Sequence, residues 1–394
     1  MTHTSETLWT SFRDTTRLLP LDGLRAVAIL LVFTGHVEAP GPWKAVHGGV
    51  GVTLFFVISG FIITTLLLRE SDTRPVDFGA FYIRRAFRIL PMYLLVLAVY
   101  CVLIFVLGTQ ADRRAEFVQA LPGYLLGFPE IVQLTNTADH QAPFSGAWSI
   151  GIEDKFYLVW PVVGFLLLRR RWVALVPLLL ASASVLAVVG FGTPIARVVQ
   201  PYVHIIFGVL VAVGLHHRES FAVLARLLGR RWLTWVLLAA CLGLVLYPDI
   251  ALGTPLYVPY GLLWAVTIVS LFTAPPGAAT AILSARPLLF IGMVSYSFYL
   301  THAFVLNALE KLPPTIPSWA QYPLGLGGAL VLAWVSYRLV EAPMNRWGHR
   351  IAARRRARRT PSPARLHAET PPAREHGSRR GARARAASRR GRRL

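Results

Sequence analysis

The sequence predicts an all-α integral membrane protein, a bundle of about ten transmembrane helices followed by a disordered basic C-terminal tail. Hydrophobic residues make up 55% of the 394 residues, charged residues only 15%, and the mean hydropathy is +0.52. A soluble domain carries nearer a quarter charged residues. The apolar residues also fall in runs of about 17–22 residues, long enough to cross the hydrocarbon core as a helix.

The predicted spans follow one another with short polar connections. Polar residues interrupt the first and the fourth span, and the segments near residues 208 and 264 are marginal in hydropathy. The spans are centred near residues 29, 58, 99, 160, 181, 208, 240, 264, 296 and 331. We therefore predict a short N-terminal segment at 1–18, a transmembrane domain at 19–346 and a tail at 347–394.

The basic residues of the connections predict the orientation. When the loops are assigned alternately to the two sides, the N-terminal side receives 15 basic residues and the other side five. By the positive-inside rule, the N-terminal side is cytoplasmic. An even number of spans then places the C-terminus in the cytoplasm as well.

The tail is strongly basic and has little to bury. From Arg346 onward, the sequence contains 17 arginines and only two acidic residues, Glu369 and Glu375. Such a segment is predicted to be disordered and to contact anionic lipid. Residues 350–394 contain no aromatic side chain to stack on bases, so we expect no nucleic-acid partner. The two cysteines, Cys101 and Cys241, fit neither a metal site nor a disulfide framework, and no metal is predicted.

Charged groups inside the first span are functional candidates, because burying charge in lipid costs several kcal/mol. Arg25 and His36 are eleven residues apart, about 16 Å along a helix and on nearly the same face. The alternatives are an interfacial pair between Asp22 and Arg25 and a histidine that serves only packing.

An arginine cluster opens the third span. Arg84, Arg85 and Arg88 lie at the predicted cytoplasmic end, where a guanidinium can bind two phosphate oxygens at once. The alternative is a topological anchor with no ligand.

Two further polar stripes lie within apolar helices. Ser149 and Glu153 share a face of the fourth span, and Ser295, Tyr299 and His302 share a face of the ninth. In the fourth span, the Glu153 carboxylate could orient an imidazole or accept a hydrogen bond from a substrate hydroxyl; the alternative is charge balance with the neighbouring Lys155. The stripe in the ninth span suggests a lined cavity; the alternative is hydrogen bonding between helices.

Taken in order, these segments resemble acyltransferase family 3, the membrane acyltransferases of bacterial polysaccharide and secondary-metabolite modification. The resemblance covers roughly Leu19 to Arg346. It rests on Arg25 with His36, on the arginine cluster with Pro91, on Trp148 to Pro161, on Ser295 to His302, and on Val340, Glu341 and Pro343. Thr53, Ala26 and Asp154-Lys155 depart from the family's commonest residues.

The resemblance implies a membrane O-acyltransferase of the bacterial inner membrane that uses acyl-CoA, commonly acetyl-CoA, and a carbohydrate-containing acceptor. Cell-wall glycan, exopolysaccharide, glycolipid and a macrolide-type metabolite all remain open as acceptors. His36 is implied as the general base that deprotonates the acceptor hydroxyl. The site residues are then His36, Arg25 and Glu153 for catalysis, Arg84, Arg85 and Arg88 for acyl-CoA, and Trp148, Ser149, Tyr299 and His302 for the acceptor.

A multi-pass transporter or flippase for a lipid-linked sugar is the alternative, since intramembrane Arg, Glu and His also mark transport paths. The sequence shows no inverted repeat of the kind that many transporters contain. Neither reading predicts the oligomeric state.

Overall fold

The architecture is a bundle of α-helices, seen in a computed structural model that describes residues 3–38, 40–135, 142–167, 172–193, 195–248, 250–311 and 317–359. These described residues include no β-strand. The helices are α1 (His3–Asp14), α2 (Leu19–His36), α3 (Gly51–Thr73), α4 (Phe78–Cys101), α5 (Arg114–Leu125), α6 (Pro129–Thr135), α7 (Trp148–Pro161), α8 (Trp172–Gly190), α9 (Ala196–His216), α10 (Arg218–Leu228), α11 (Arg231–Leu244), α12 (Tyr257–Thr273), α13 (Ala278–Leu283), α14 (Arg286–Leu309), α15 (Ser318–Ser336) and α16 (Ala342–Arg359).

The number of spans is only partly as predicted. Six helices of the described chain are long and apolar enough to cross a membrane, or seven if α10 and α11, which meet at 78°, form one broken span. The prediction of ten is not confirmed, because the other predicted segments form shorter or more polar helices. The chain is a multi-pass membrane protein.

The predicted disorder of the tail is not confirmed at residues 347–359, which are helical. The chain continues from α15 through a π-helical stretch, Tyr337–Glu341, into α16, which ends only at Arg359. Arg356 pairs with Glu70 at 2.6 Å, and Arg355 with Asp77 at 3.7 Å, so α16 is fixed against the start of α4. Alanine and arginine are also good helix formers. The rest of the predicted tail, 360–394, lies outside the described residues.

Close backbone contact joins α3 and α9 at two glycines. A Cβ atom on Gly60 would lie 2.9 Å from the carbonyl carbon of Ile205, and one on Gly208 would lie 2.7 Å from the amide nitrogen of Phe61. Small residues allow this approach in membrane bundles. The contact holds α3 in the position from which it lines the central cavity.

Candidate active site

A cavity of about 260 Å³ lies between α2, α3, α4, α7 and α14. Its apolar wall is formed mostly by α3, and its polar wall by the other four helices. The polar and charged lining residues are Arg25, Ser59, Arg85, Arg88, Ser149, Glu153, Asp154, Tyr157, Ser295, Tyr296 and Tyr299. Most of the polar motifs that the sequence singles out therefore meet in one place.

Three guanidinium groups face this cavity. Arg25 comes from α2, whereas Arg85 and Arg88 come from α4. Arg85 lies over the rings of Phe81 and Tyr157, with centroid distances of 5.7 and 5.8 Å. Among the described residues, no carboxylate lies within ion-pair distance of any of these three arginines. Their charge is therefore available to an anionic ligand.

Arg84, the third member of the predicted cluster, faces elsewhere. Its guanidinium lies 3.8 Å from Glu70, and it does not line the cavity. Glu70 also pairs with Arg74 and Arg356, so Arg84 belongs to the ion-pair network that holds α16. The structure thus brings two of the three predicted phosphate-binding arginines into the cavity.

The carboxylate of Glu153 is held by a phenol. The Tyr157 hydroxyl donates to Glu153 Oε2 at 2.8 Å and lies 3.0 Å from Ser59 Oγ. Within the described chain, no histidine contacts Glu153, so the structure offers no imidazole for it to orient. Arg25 lies within electrostatic range of Asp22, of the buried Glu341 and of Glu153, but none of them is close enough to form an ion pair with it.

A second hydrogen-bond chain joins α7 to α14. The Ser149 hydroxyl donates to Tyr299 Oη at 2.7 Å, and Tyr299 in turn donates to the carbonyl oxygen of Gly146 at 2.8 Å. The sequence predicted that Ser149 and Tyr299 belong to the site, and the structure places both on the cavity wall.

The two candidate histidines form a pair outside this cavity. The rings of His36 and His302 are 5.1 Å apart between centroids, and Tyr299 lies 6.1 Å from His302. Since a carbonyl can only accept, His36 Nδ1 donates to Val32 O at 2.7 Å and His302 Nδ1 donates to Tyr299 O at 2.8 Å. The other ring nitrogen, Nε2, is then the one that can accept a proton when the ring is neutral. Only His36 is exposed; His302 is buried.

Trp148 lies beside a different pocket, at the end of α2 that carries His36. Its ring meets Phe56 edge to face, with centroids 5.9 Å apart. Of the residues predicted to bind the acceptor, Ser149 and Tyr299 thus line the arginine cavity, whereas Trp148 lines the second pocket.

Sequence reasoning assigned no role in the site to four polar residues that line the arginine cavity: Ser59, Asp154, Tyr157 and Tyr296. Tyr157 could have been found, because it lies one helical turn after Glu153 and can reach its carboxylate. Tyr296 donates to Ile89 O at 2.8 Å, a contact between distant segments that no spacing rule predicts. A search of the described residues finds no group of three metal-ligating side chains.

Comparison with known proteins gives one family and several relatives. Residues 19–338 match the model of an acyltransferase domain. The chain is 27% identical to the peptidoglycan O-acetyltransferase OatA of Listeria monocytogenes in an alignment that covers 83% of this chain and 56% of that protein. It is 28% identical to the Bacillus subtilis protein YrhL in an alignment that covers 86% of this chain and 57% of that protein. The chain thus spans little more than half the length of these relatives. No solved structure matches it.

Proposed function

The chain belongs to the acyltransferase family whose domain model it matches, and from that premise we propose that it transfers an acetyl group from acetyl-CoA to a hydroxyl of a carbohydrate acceptor. One observation carries the proposal: Arg25, one of the three guanidinium groups of the cavity, lies on the same helix, α2, that ends at the exposed His36, whose Nδ1 is held by the Val32 carbonyl. The similarity to OatA supports a glycan as acceptor.

The arginine cavity suits the donor. Coenzyme A carries several phosphate charges, and the planar guanidinium fork binds phosphate oxygens in pairs. Arg85 and Arg88 would bind these phosphates, and Arg25 would balance charge further along the path. Ile58, Ile62 and Ile63 line the same cavity and offer an apolar surface to the pantetheine arm and the acyl group.

His36 suits the role of general base. In the proposed reaction, His36 Nε2 takes the proton of the acceptor hydroxyl while that oxygen attacks the thioester carbonyl carbon. The C–S bond then breaks, and the CoA thiolate leaves and accepts a proton. The hydrogen bond from Nδ1 to Val32 O fixes the tautomer that this step needs.

The positions of these groups suggest how a cytoplasmic donor reaches a more external acceptor. Arg25 and His36 are separated by about three turns of α2, roughly 16 Å along the axis. Tyr299 lines the arginine cavity and also lies beside His302, which contacts His36. Under the predicted orientation, the acyl group would pass along this wall from the cytoplasmic side outward. No observation specifically favours the flippase alternative.

Reconstitution tests the proposal. Purified full-length protein in lipid nanodiscs is mixed with isotope-labelled acetyl-CoA and peptidoglycan fragments, and the products are analysed by mass spectrometry. We expect a labelled acetyl ester on the glycan that is lost on mild alkaline treatment. Export of a lipid-linked sugar by proteoliposomes that form no acetyl ester would overturn the assignment and support the flippase.

A further inference from the structure

A second pocket lies at the His36 end of α2 and has a volume of about 420 Å³, within the range of small-ligand sites. Three of its walls are aromatic, formed by Trp43, Trp148 and Tyr257, and Lys44 and His47 add polar groups. Sequence reasoning named only Trp148 among these residues.

The aromatic walls are held in place by their own neighbours. The Trp43 ring stacks on Tyr322 with centroids 5.0 Å apart and 29° between the planes. The Tyr322 hydroxyl lies 2.9 Å from Thr34 Oγ1, so this stack is tied to α2. The pocket is thus preformed, which lowers the entropic cost of binding.

The pocket is lined by residues that neighbour both parts of the proposed active site in sequence. Gly35 and Val37, the neighbours of His36 in sequence, line it. A Cβ atom on Gly35 would lie 2.7 Å from the amide nitrogen of Gly49, so the loop that forms the pocket is pressed against the last turn of α2. Trp148 precedes Ser149, which lines the arginine cavity.

We propose that this pocket, lined by Trp43, Trp148 and Tyr257, is the acceptor subsite and binds one uncharged pyranose ring of the glycan. The inference rests on the proposed function. A pyranose has apolar C–H faces that pack on aromatic rings and hydroxyl edges that need donors and acceptors. Lys44 and Glu38 form an ion pair of 2.8 Å at the exposed rim, which supplies both kinds of group with no net charge.

Gly49 offers a direct way to fill the pocket. It is exposed, it lines the pocket, and a Cβ atom there would meet no heavy atom within 4 Å. Gly49→Leu should therefore occupy the pocket without disturbing the packing. Gly327→Leu is the matched control, since Gly327 is also exposed with open space around its Cβ position and lies on α15, away from the pocket.

The experiment measures binding of chitotetraose, an uncharged oligosaccharide, by isothermal titration to the full-length protein in nanodiscs. We expect the Kd to rise at least about tenfold in Gly49→Leu and in Trp43→Ala, and to stay at the wild-type value in Gly327→Leu. Binding of acetyl-CoA should be the same in all four proteins.

Three results would overturn the inference. These are no binding of chitotetraose by the wild type, equal binding by Gly49→Leu, or displacement of the sugar by a simple alkyl chain such as octanol, which would indicate a lipid site. Because binding needs no turnover, failure of the proposed function is recognised separately: the sugar would bind with the expected mutational pattern, but no acetyl ester would form.

Discussion

The imidazole rings of His36 and His302 meet edge to face, with their centroids 5.1 Å apart. Each ring donates its Nδ1 proton to a carbonyl of its own helix, so Nε2 is the nitrogen that remains for another hydrogen-bond partner. His302 is buried and His36 is exposed. The two histidines therefore make the same type of hydrogen bond through Nδ1 but differ in solvent exposure. Only His36 is placed to take a proton from an entering hydroxyl.

We predict that His36→Gln lowers kcat for acetyl transfer by a factor on the order of 10²–10⁴, the usual contribution of a general base. The KM for acetyl-CoA should change little, because the donor site lies about three helical turns away. Initial rates in nanodiscs at matched protein concentration measure both constants. His217→Gln, which changes an exposed histidine between α9 and α10, should behave as wild type. Near-normal turnover of His36→Gln would exclude it as the base.

We predict that Arg85→Lys and Arg88→Lys each raise the KM for acetyl-CoA about tenfold, because lysine keeps the charge but loses the two-point contact with phosphate. Acetyl-pantetheine, which lacks the nucleotide and its phosphates, should show no such difference between variant and wild type. Arg226→Lys, at an exposed position of α10, is the matched control. Equal effects with both donors would place these arginines on the acyl or acceptor side instead.

The sequence predicts those residues of the candidate site whose polar side chains lie within apolar helices, because burying such groups in a membrane is energetically costly. Arg25, Glu153, Ser149 and Tyr299 were found because polar groups in an apolar helix need a reason to be there, and the structure gathers all four on one cavity wall. The separation of Arg84 from its neighbours could not be predicted. Arg84 is separated from them because it pairs with Glu70, a residue of another helix that forms ion pairs with three arginines.

The fold was predicted in class but not in detail. Helix content and a membrane location follow from composition and run length, whereas the end of α16 depends on tertiary contacts. Residues 347–359 look like a disordered tail because arginines predominate and Trp347 and Ile351 are the only large apolar residues. They are helical because Arg355 and Arg356 find Asp77 and Glu70 across the start of α4.

We predict that Glu70→Gln lowers the free energy of unfolding by about 1–3 kcal/mol, since it removes the carboxylate that pairs with three arginines in a partly buried cluster. Of these, Arg356 keeps only the more distant Asp77, at 4.0 Å. The Glu70 side chain is only 10% exposed, and Arg356 lies 2.6 Å from it. Thermal unfolding in detergent, followed by light scattering and intrinsic fluorescence, measures the change. Asp112→Asn, which breaks an exposed pair with Arg113, should have little effect. An unchanged Tm in Glu70→Gln would show that this network does not stabilise the docking of α16.

We predict opposite effects of alanine at two helical glycines. At Gly60 the added Cβ would collide with the backbone of α9 at the Ile205 carbonyl, and neither backbone can yield without shifting a helix, so Gly60→Ala should destabilise the protein by about 1–3 kcal/mol. At Gly243 in α11, no atom lies within 4 Å of the Cβ position, so alanine should stabilise the helix by up to about 1 kcal/mol through its better propensity. Thermal unfolding of both variants in the same detergent measures the difference, and the Tm of Gly60→Ala should fall while that of Gly243→Ala stays level or rises. Equal shifts at the two positions would mean that α3 and α9 are farther apart in the membrane than their glycine contact requires.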